Sequence, residues 1–257
     1  MHRSASRLTR ILACAAVPVM LVVAGCSSDS GSKKESDGSS SSAPDAKKSA
    51  AAVAQAKFAE LPDPCKAISA KTITSLVPKA KSKAGSPATS SDTSARAGCS
   101  WNGLDDNGVK GSQYRWLDVG FTRFDSDQAL GSGAKRAEDD LTKQLAKTRT
   151  AEGAKKITEA PVSGIGEEAT KVTYDLTKTG EDFKYATIVA RTGNVVVTLT
   201  YNGAGYAGAK TPSGADILKD AERATKEAVA AVADANAADD DKPSPSASPS
   251  KSAKSSN

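Results

Sequence analysis

Residues 183–201 read FKYATIVARTGNVVVTLTY. Two runs rich in β-branched residues flank the turn residues RTGN (191–194), a pattern that predicts an antiparallel hairpin. Immediately upstream, KVTYDLTK (171–178) has the same character and closes on Thr179 and Gly180, so it is the expected neighbour of that hairpin. Further upstream, Asn107-Gly108 in LDDNGV is a strong hairpin signal. It lies between a strand beginning at CSW (99–101) and a second run, QYRWLDVGFTRF (113–124). There Leu117, Val119 and Phe121 alternate with Tyr114, Trp116, Asp118 and Thr122, as in a strand with two different faces.

Helical spacing appears around these strands. PDPCKAIS and AKTITSLVP (62–78) read as a helix, with Asp63 as N-cap, Pro64 at the first position and Pro78 as terminator. Residues 50–58 are a second short helix candidate. Residues 134–147 place Ala137, Leu141 and Leu145 in register. Residues 213–234 place Leu218, Ala221, Thr225, Ala228 and Val232 on one face. The order is helix, two strands, helix, three or four strands, helix. It predicts an α+β single domain at 58–235, an antiparallel β-sheet covered by helices.

The flanks are different in kind. Residues 1–25 combine Arg3, Arg7 and Arg10 with an uncharged, mostly apolar run of 13 residues at 11–23. This run is short for a membrane span and fits a signal peptide. It ends in Val23-Ala24-Gly25-Cys26, small residues before a cysteine, as in a lipoprotein signal peptide cleaved ahead of a lipidated Cys26. An ordinary secretory signal with a chance cysteine is the competing reading. Residues 26–57 are a Ser/Gly/Lys/Ala tether, and 236–257 a Ser/Pro-rich tail; both are expected to be disordered.

Composition limits the chemistry. The single histidine, His2, and both methionines, Met1 and Met20, lie in the signal. A mature chain without imidazole has no Ser-His-Asp or Cys-His catalysis and no imidazole zinc site. Of four cysteines, Cys14 leaves with the signal and Cys26 goes to lipid, leaving Cys65 and Cys99. In an exported protein these two are expected to pair; two free thiols are the alternative. The net charge of +5 owes three units to the signal, and the remainder holds 32 basic against 30 acidic side chains. These are interspersed, with no basic stripe for nucleic acid.

GIGEEA (164–169) fits the dinucleotide pattern G-x-G-x-x-G/A. That motif works only between a strand and a helix, whose N-terminus holds the pyrophosphate. Here a β-branched run follows, and Glu167 and Glu168 would repel phosphate. The glycines are expected to shape a turn before a strand, and no nucleotide is expected. DDNG (105–108) lacks the ligand spacing of a calcium loop. Glu138-Asp139-Asp140 fan out on a helix rather than converge. A Ser-Lys dyad is possible only on paper, for no serine sits in a nucleophile motif. The aromatic residues supply the remaining candidates. Trp101, Tyr114, Trp116, Tyr201 and Tyr206 are a candidate binding surface, with 201–206 read as a glycine-rich loop. Core packing of the tryptophans, with the tyrosines in a surface loop, is the competing reading.

LPDPCKAIS, the CSW segment and VSGIGEEA, behind the Cys26 motif and Ser-rich tether, resemble actinobacterial (Streptomyces-like) lipoproteins carrying a domain of unknown function 3558. The resemblance spans about 26–235 and brings no catalytic residues. At fold level these segments are also similar to PsbP-like domains and to exported sensor domains of actinobacterial kinases, which assigns no function.

The expected protein is therefore a cell-envelope lipoprotein on the extracytoplasmic face of a cell membrane, held by palmitate-type acyl chains on Cys26. It acts as a non-enzymatic binding or accessory module. No catalytic residue, metal or cofactor is expected. Its partners are the membrane and an envelope protein, lipid or glycan, not nucleic acid. A carrier of a hydrophobic or lipid ligand is the first alternative. A histidine-independent hydrolase, using a carboxylate pair or Ser-Lys dyad, is the second.

Overall fold

A computed structural model describes residues 52–237. The expected signal peptide (1–25), Cys26, most of the expected tether and nearly all of the expected 236–257 tail lie outside the described residues. In chain order the elements are α1 (Ala70–Leu76), β1 (Ser86–Pro87), β2 (Arg96–Asp105), β3 (Ser112–Arg123), α2 (Gly133–Arg149), β4 (Lys155–Pro161), β5 (Glu168–Lys178), β6 (Glu181–Thr192), β7 (Val195–Tyr206) and α3 (Gly214–Ala237). The seven strands form one sheet in the order β1-β2-β3-β7-β6-β5-β4. Every pairing is antiparallel. The α+β class read from the sequence is the architecture observed.

The RTGN hairpin forms as its residues require. Thr192 pairs with Val195 across Gly193-Asn194, and Gly193 takes the left-handed φ of +53° that the turn demands. This hairpin is the centre of the sheet. One of its strands, β6, pairs with β5 at the Thr179-Gly180 turn, and the other, β7, pairs with β3. The second pairing joins residues about 80 apart in sequence.

Period-two alternation gives the sheet two inner faces. On one face Trp101, Leu117, Val119, Phe121, Val197, Leu199, Ile188 and Ala186 pack with Ile217, Ala221, Ala224, Ala228 and Val232 of α3 and with Ile73 and Leu76 of α1. Small residues on α3 let that helix lie close to β6 and β7. On the other face Ala137, Leu141 and Leu145 of α2 pack on Val172, Val189 and Val196. Ser132 caps α2, its hydroxyl accepting from the Lys135 N–H. This helix covers only the part of its face nearest the Gly193 turn.

Several boundaries differ from the sequence reading. Asp63 does not cap a long helix. Its carboxylate accepts from the Cys65 N–H within a separate turn, and α1 begins only at Ala70, where Ser69 accepts from Thr72 N–H. The turn is held instead by the disulfide between Cys65 and Cys99, with Cα atoms 5.2 Å apart, which ties it to β2. Residues 52–58 form no helix, and Ile217, not Leu218, is the buried residue at the start of α3. The 201–206 segment is not a loop but the end of β7.

GIGEEA turns into β5, not into a helix. Gly164 and Gly166 have φ of +74° and +62°. A Cβ on Gly166 would sit 2.4 Å from the Arg191 carbonyl oxygen, so glycine is required there by space as well as by φ. Ile165 is driven into the core. Glu167 accepts from the Gly193 N–H at 3.0 Å and from the guanidinium of Arg191 at 2.6 Å. Burial works to raise its pKa, but the Gly193 N–H, Arg191 and Lys57 together hold it below the ordinary value. The motif is a structural clamp between the start of β5 and the central hairpin.

Candidate functional site

The half of the sheet face that α2 leaves uncovered is organised by strand register. One cross-strand row runs Ser100, Asp118, Thr200, Thr187 from β2 to β6. The next, two residues along each strand, runs Asn102, Trp116, Asn202, Tyr185, Tyr174 from β2 to β5. Beyond it lie Tyr114 and Phe183, with Tyr206 at the end of β7. The face thus grades from hydroxyl and carboxylate, through amide and indole, to aromatic hydrocarbon.

All of these except Ser100, Thr187, Asn102 and Tyr174 line a groove of about 690 Å³. Tyr114, Phe183 and Tyr206 close one end as a mutually edge-to-face cluster, with ring centroids 5.9 to 6.4 Å apart. Tyr174 and Tyr185 stack at 4.8 Å. Lys178 lies over the Tyr185 ring, and its ammonium donates to a tyrosine hydroxyl, that of Tyr185, at 2.9 Å.

Asp118 sits where this groove meets a second depression of about 430 Å³, and it lines both. The second depression exists because glycines face each other there. Gly98 pairs with Gly120, and Gly120 with Thr198. Two missing side chains lower the sheet floor as far as Gln144 on α2. From the Gly120 row to the Tyr114 row is three two-residue steps, roughly 20 Å of continuous surface.

The polar groups on this floor are underused. Burial pushes the Asp118 carboxyl above its ordinary pKa, with no cation or hydrogen-bond donor acting in the opposite direction. Asn202 is 5% exposed and lines the groove, yet no hydrogen bond joins its side-chain amide to another protein group among the described residues. Thr187 and Thr200 share one hydrogen bond of 3.0 Å, which leaves further acceptor capacity. Buried and half-buried polar groups without protein partners, beside half-buried aromatic rings, are what a binding site offers before its ligand arrives.

The sequence candidates divide between the two faces. Tyr114, Trp116 and Tyr206 line the groove. Trp101 and Tyr201 do not, and their assignment to a binding surface is corrected here. They are 1% and 2% exposed in the core under α1 and α3. Trp101 pairs with Leu117 and so shares the face of Leu117, not of Trp116. The Tyr201 hydroxyl donates to the Leu76 carbonyl at 2.8 Å, and burial pushes its pKa up to about 12. Asp118, Phe183, Tyr185 and Asn202 were missed as site residues. Asp118 was legible in the alternation that groups it with Trp116. The other three reach the groove only through the β3–β7 pairing.

The remaining sequence features have structural explanations. Glu138 and Asp139 pair with Lys135 on the exposed side of α2. Asp106 accepts from the Gly108 N–H and the Ser112 hydroxyl within the β2–β3 connection. Among the described residues no three His, Cys, Asp or Glu side chains gather as metal ligands. None of the described helices is long and apolar enough to cross a membrane.

Residues 21–173 match the model of a family described as protein of unknown function (DUF3558), and the chain belongs to that family. The match ends within β5, but the structural unit does not, because β6 and β7 lie between β3 and β5 in the sheet. No curated protein matches the sequence. Among solved structures, the chain is similar to LpqN, described as involved in cell envelope biogenesis of Mycobacterium tuberculosis. That similarity is 14% identity over 56% of this chain and 82% of that one, with a TM-score of 0.31.

Proposed function

We propose that the protein is a non-enzymatic binding module of the cell envelope, of the actinobacterial lipoprotein type, anchored by acyl chains on Cys26. Its ligand occupies the open groove between Tyr206 and Gln144. The observation that carries this reading is the uncovered half of the sheet, where half-buried aromatic rings adjoin the unpartnered Asp118 and Asn202. A purely structural face of this kind would be covered by a helix or made uniformly polar.

The export signal and the disulfide support the location. A Cys65–Cys99 bond persists in an oxidising compartment, and the run ending Val23-Ala24-Gly25-Cys26 supplies the anchor. Two acyl chains are needed for stable membrane attachment. The chemistry of the groove favours binding over catalysis. Its lining holds one carboxylate, Asp118, whereas acid–base hydrolysis uses a pair roughly 5–10 Å apart. An enclosed lipid carrier is less well supported, because the groove is open and its floor is polar at the Asp118 end.

Two measurements test the reading. Replacing Cys26 with Ala should release the protein from membranes and abolish incorporation of labelled palmitate. Benzoylphenylalanine at position 116, irradiated in living cells, should give a discrete adduct that the same group at the buried position 199 does not. An unlipidated Cys26 would remove the anchor, and absence of any adduct would remove the groove.

A further inference from the structure

We propose that the groove binds a neutral glycan, with a sugar ring lying against the Trp116 indole and its hydroxyls on Asp118, Asn202 and Thr200. The inference rests on the binding-groove reading above and names its ligand class. A pyranose presents a flat C–H face beside a rim of hydroxyls. The groove presents the same pairing in register, since Trp116 is directly cross-strand from Asn202, and the neighbouring row places Asp118 directly cross-strand from Thr200.

Other ligand classes fit the lining less well. An acyl chain or flat hydrocarbon would bury the Asn202 amide and the Asp118 carboxyl without partners, which is costly. An anion would meet Asp118; Lys178 is already engaged with Tyr185, and Arg96 lines the depression beyond Asp118 rather than the groove beside Trp116. A quaternary ammonium needs a box of rings with room inside. Tyr114, Phe183 and Tyr206 instead fill their own cluster, edge against face, at 5.9 to 6.4 Å. A neutral polyol uses the carboxylate and amide as hydrogen-bond partners and the ring faces as apolar contact. The glycine-lowered floor beyond Asp118 extends the site, so an oligosaccharide fits better than a single sugar.

The test uses the full-length protein in phosphatidylcholine nanodiscs, titrated with maltotriose, cellotriose, mannotriose and chitotriose. At least one should shift Trp116 emission and show saturation transfer to the protons of one ring face. The buried Trp101 provides a fixed background, removed by comparison with Trp116→Phe. Asp118→Asn and Asn202→Ala should each weaken binding by about tenfold, the loss of one charged or fully desolvated hydrogen bond. Gly120→Leu, which fills the floor beyond Asp118, should weaken trisaccharide binding. If no sugar binds but palmitate or a protein is captured by the photoprobe at position 116, the glycan class is overturned and the groove reading survives. If no sugar binds and the photoprobe captures nothing, both are overturned.

Discussion

Asn194 and Asn202 lie eight residues apart, one in the turn ahead of β7 and one on that strand, and both are nearly inaccessible to solvent, but they do opposite things. Asn194 is fully buried. Its amide donates to the carbonyls of Phe58 and Phe124 at 2.9 Å each, and its oxygen accepts from the Phe58 N–H at 2.8 Å. Asn194→Ala strands three buried backbone groups and should cost about 3 kcal/mol, read as a lower urea midpoint. Asn202→Ala removes no protein hydrogen bond and should change stability by less than about 0.5 kcal/mol. Asp118 has a pH signature of its own. Its folded pKa is raised by burial above the ordinary 3.8, so its contribution is favourable below the unfolded value and is lost as pH rises through the folded value. Asp118→Asn should therefore unfold at higher urea than the parent at neutral pH, and the difference should vanish below about pH 3.8. A constant difference across that range would mean that the carboxyl is not desolvated as its surroundings require.

Elements explain why part of the site was legible and part was not. The alternation in 113–124 separates Leu117, Val119 and Phe121 from Tyr114, Trp116 and Asp118, and the structure preserves that division. For Trp101 the binding-surface and core readings differ by a register shift of one residue, which exchanges faces, and only the observed pairing of Trp101 with Leu117 fixes the core. Tyr185 and Asn202 meet Trp116 through the β3–β7 pairing, and no local pattern encodes a contact between strands so far apart in sequence. The same distance hid which half of the face α2 would cover. Its apolar stripe was readable at Ala137, Leu141 and Leu145, but its partners Val172, Val189 and Val196 come from three strands. Leu141→Ala should cost about 2–4 kcal/mol, since its cavity would open between a rigid sheet and a single helix. The disulfide acts at this scale too. It closes 34 residues, and the chain-entropy model assigns such a loop about 3–4 kcal/mol. The Cys65→Ser, Cys99→Ser double variant should lose about that much in chemical denaturation, and an unchanged midpoint would show that the turn before α1 is held by packing alone.

At the scale of the whole molecule, the chain joins the fold earlier than composition suggests. The tether looked featureless to residue 57, yet the Ala54 carbonyl accepts from the Ser126 hydroxyl at 2.6 Å, and Lys57 pairs with Glu167 at 3.3 Å. Phe58 is buried against the hairpin. Asn236, near the end of α3, accepts from the N–H groups of Ala59 and Glu60 and donates to the Glu60 carbonyl. Residues 54–60 are thus a strap across the Gly193 turn and the end of α3. It lies at the opposite end of β7 from Tyr206, and that strand of 12 residues spans roughly 40 Å. A pull on the strap would load this end of the sheet and leave the groove free at the other. Chains starting at residue 52 should keep the parental melting temperature. Chains starting at residue 62 should lose about 3–5 kcal/mol, from the buried Phe58 ring and from Asn194 left without partners. Acrylamide quenching of Trp116 should be the same in both wherever each remains folded. A change in Trp116 quenching on removal of the strap would mean that the two ends of the sheet are coupled.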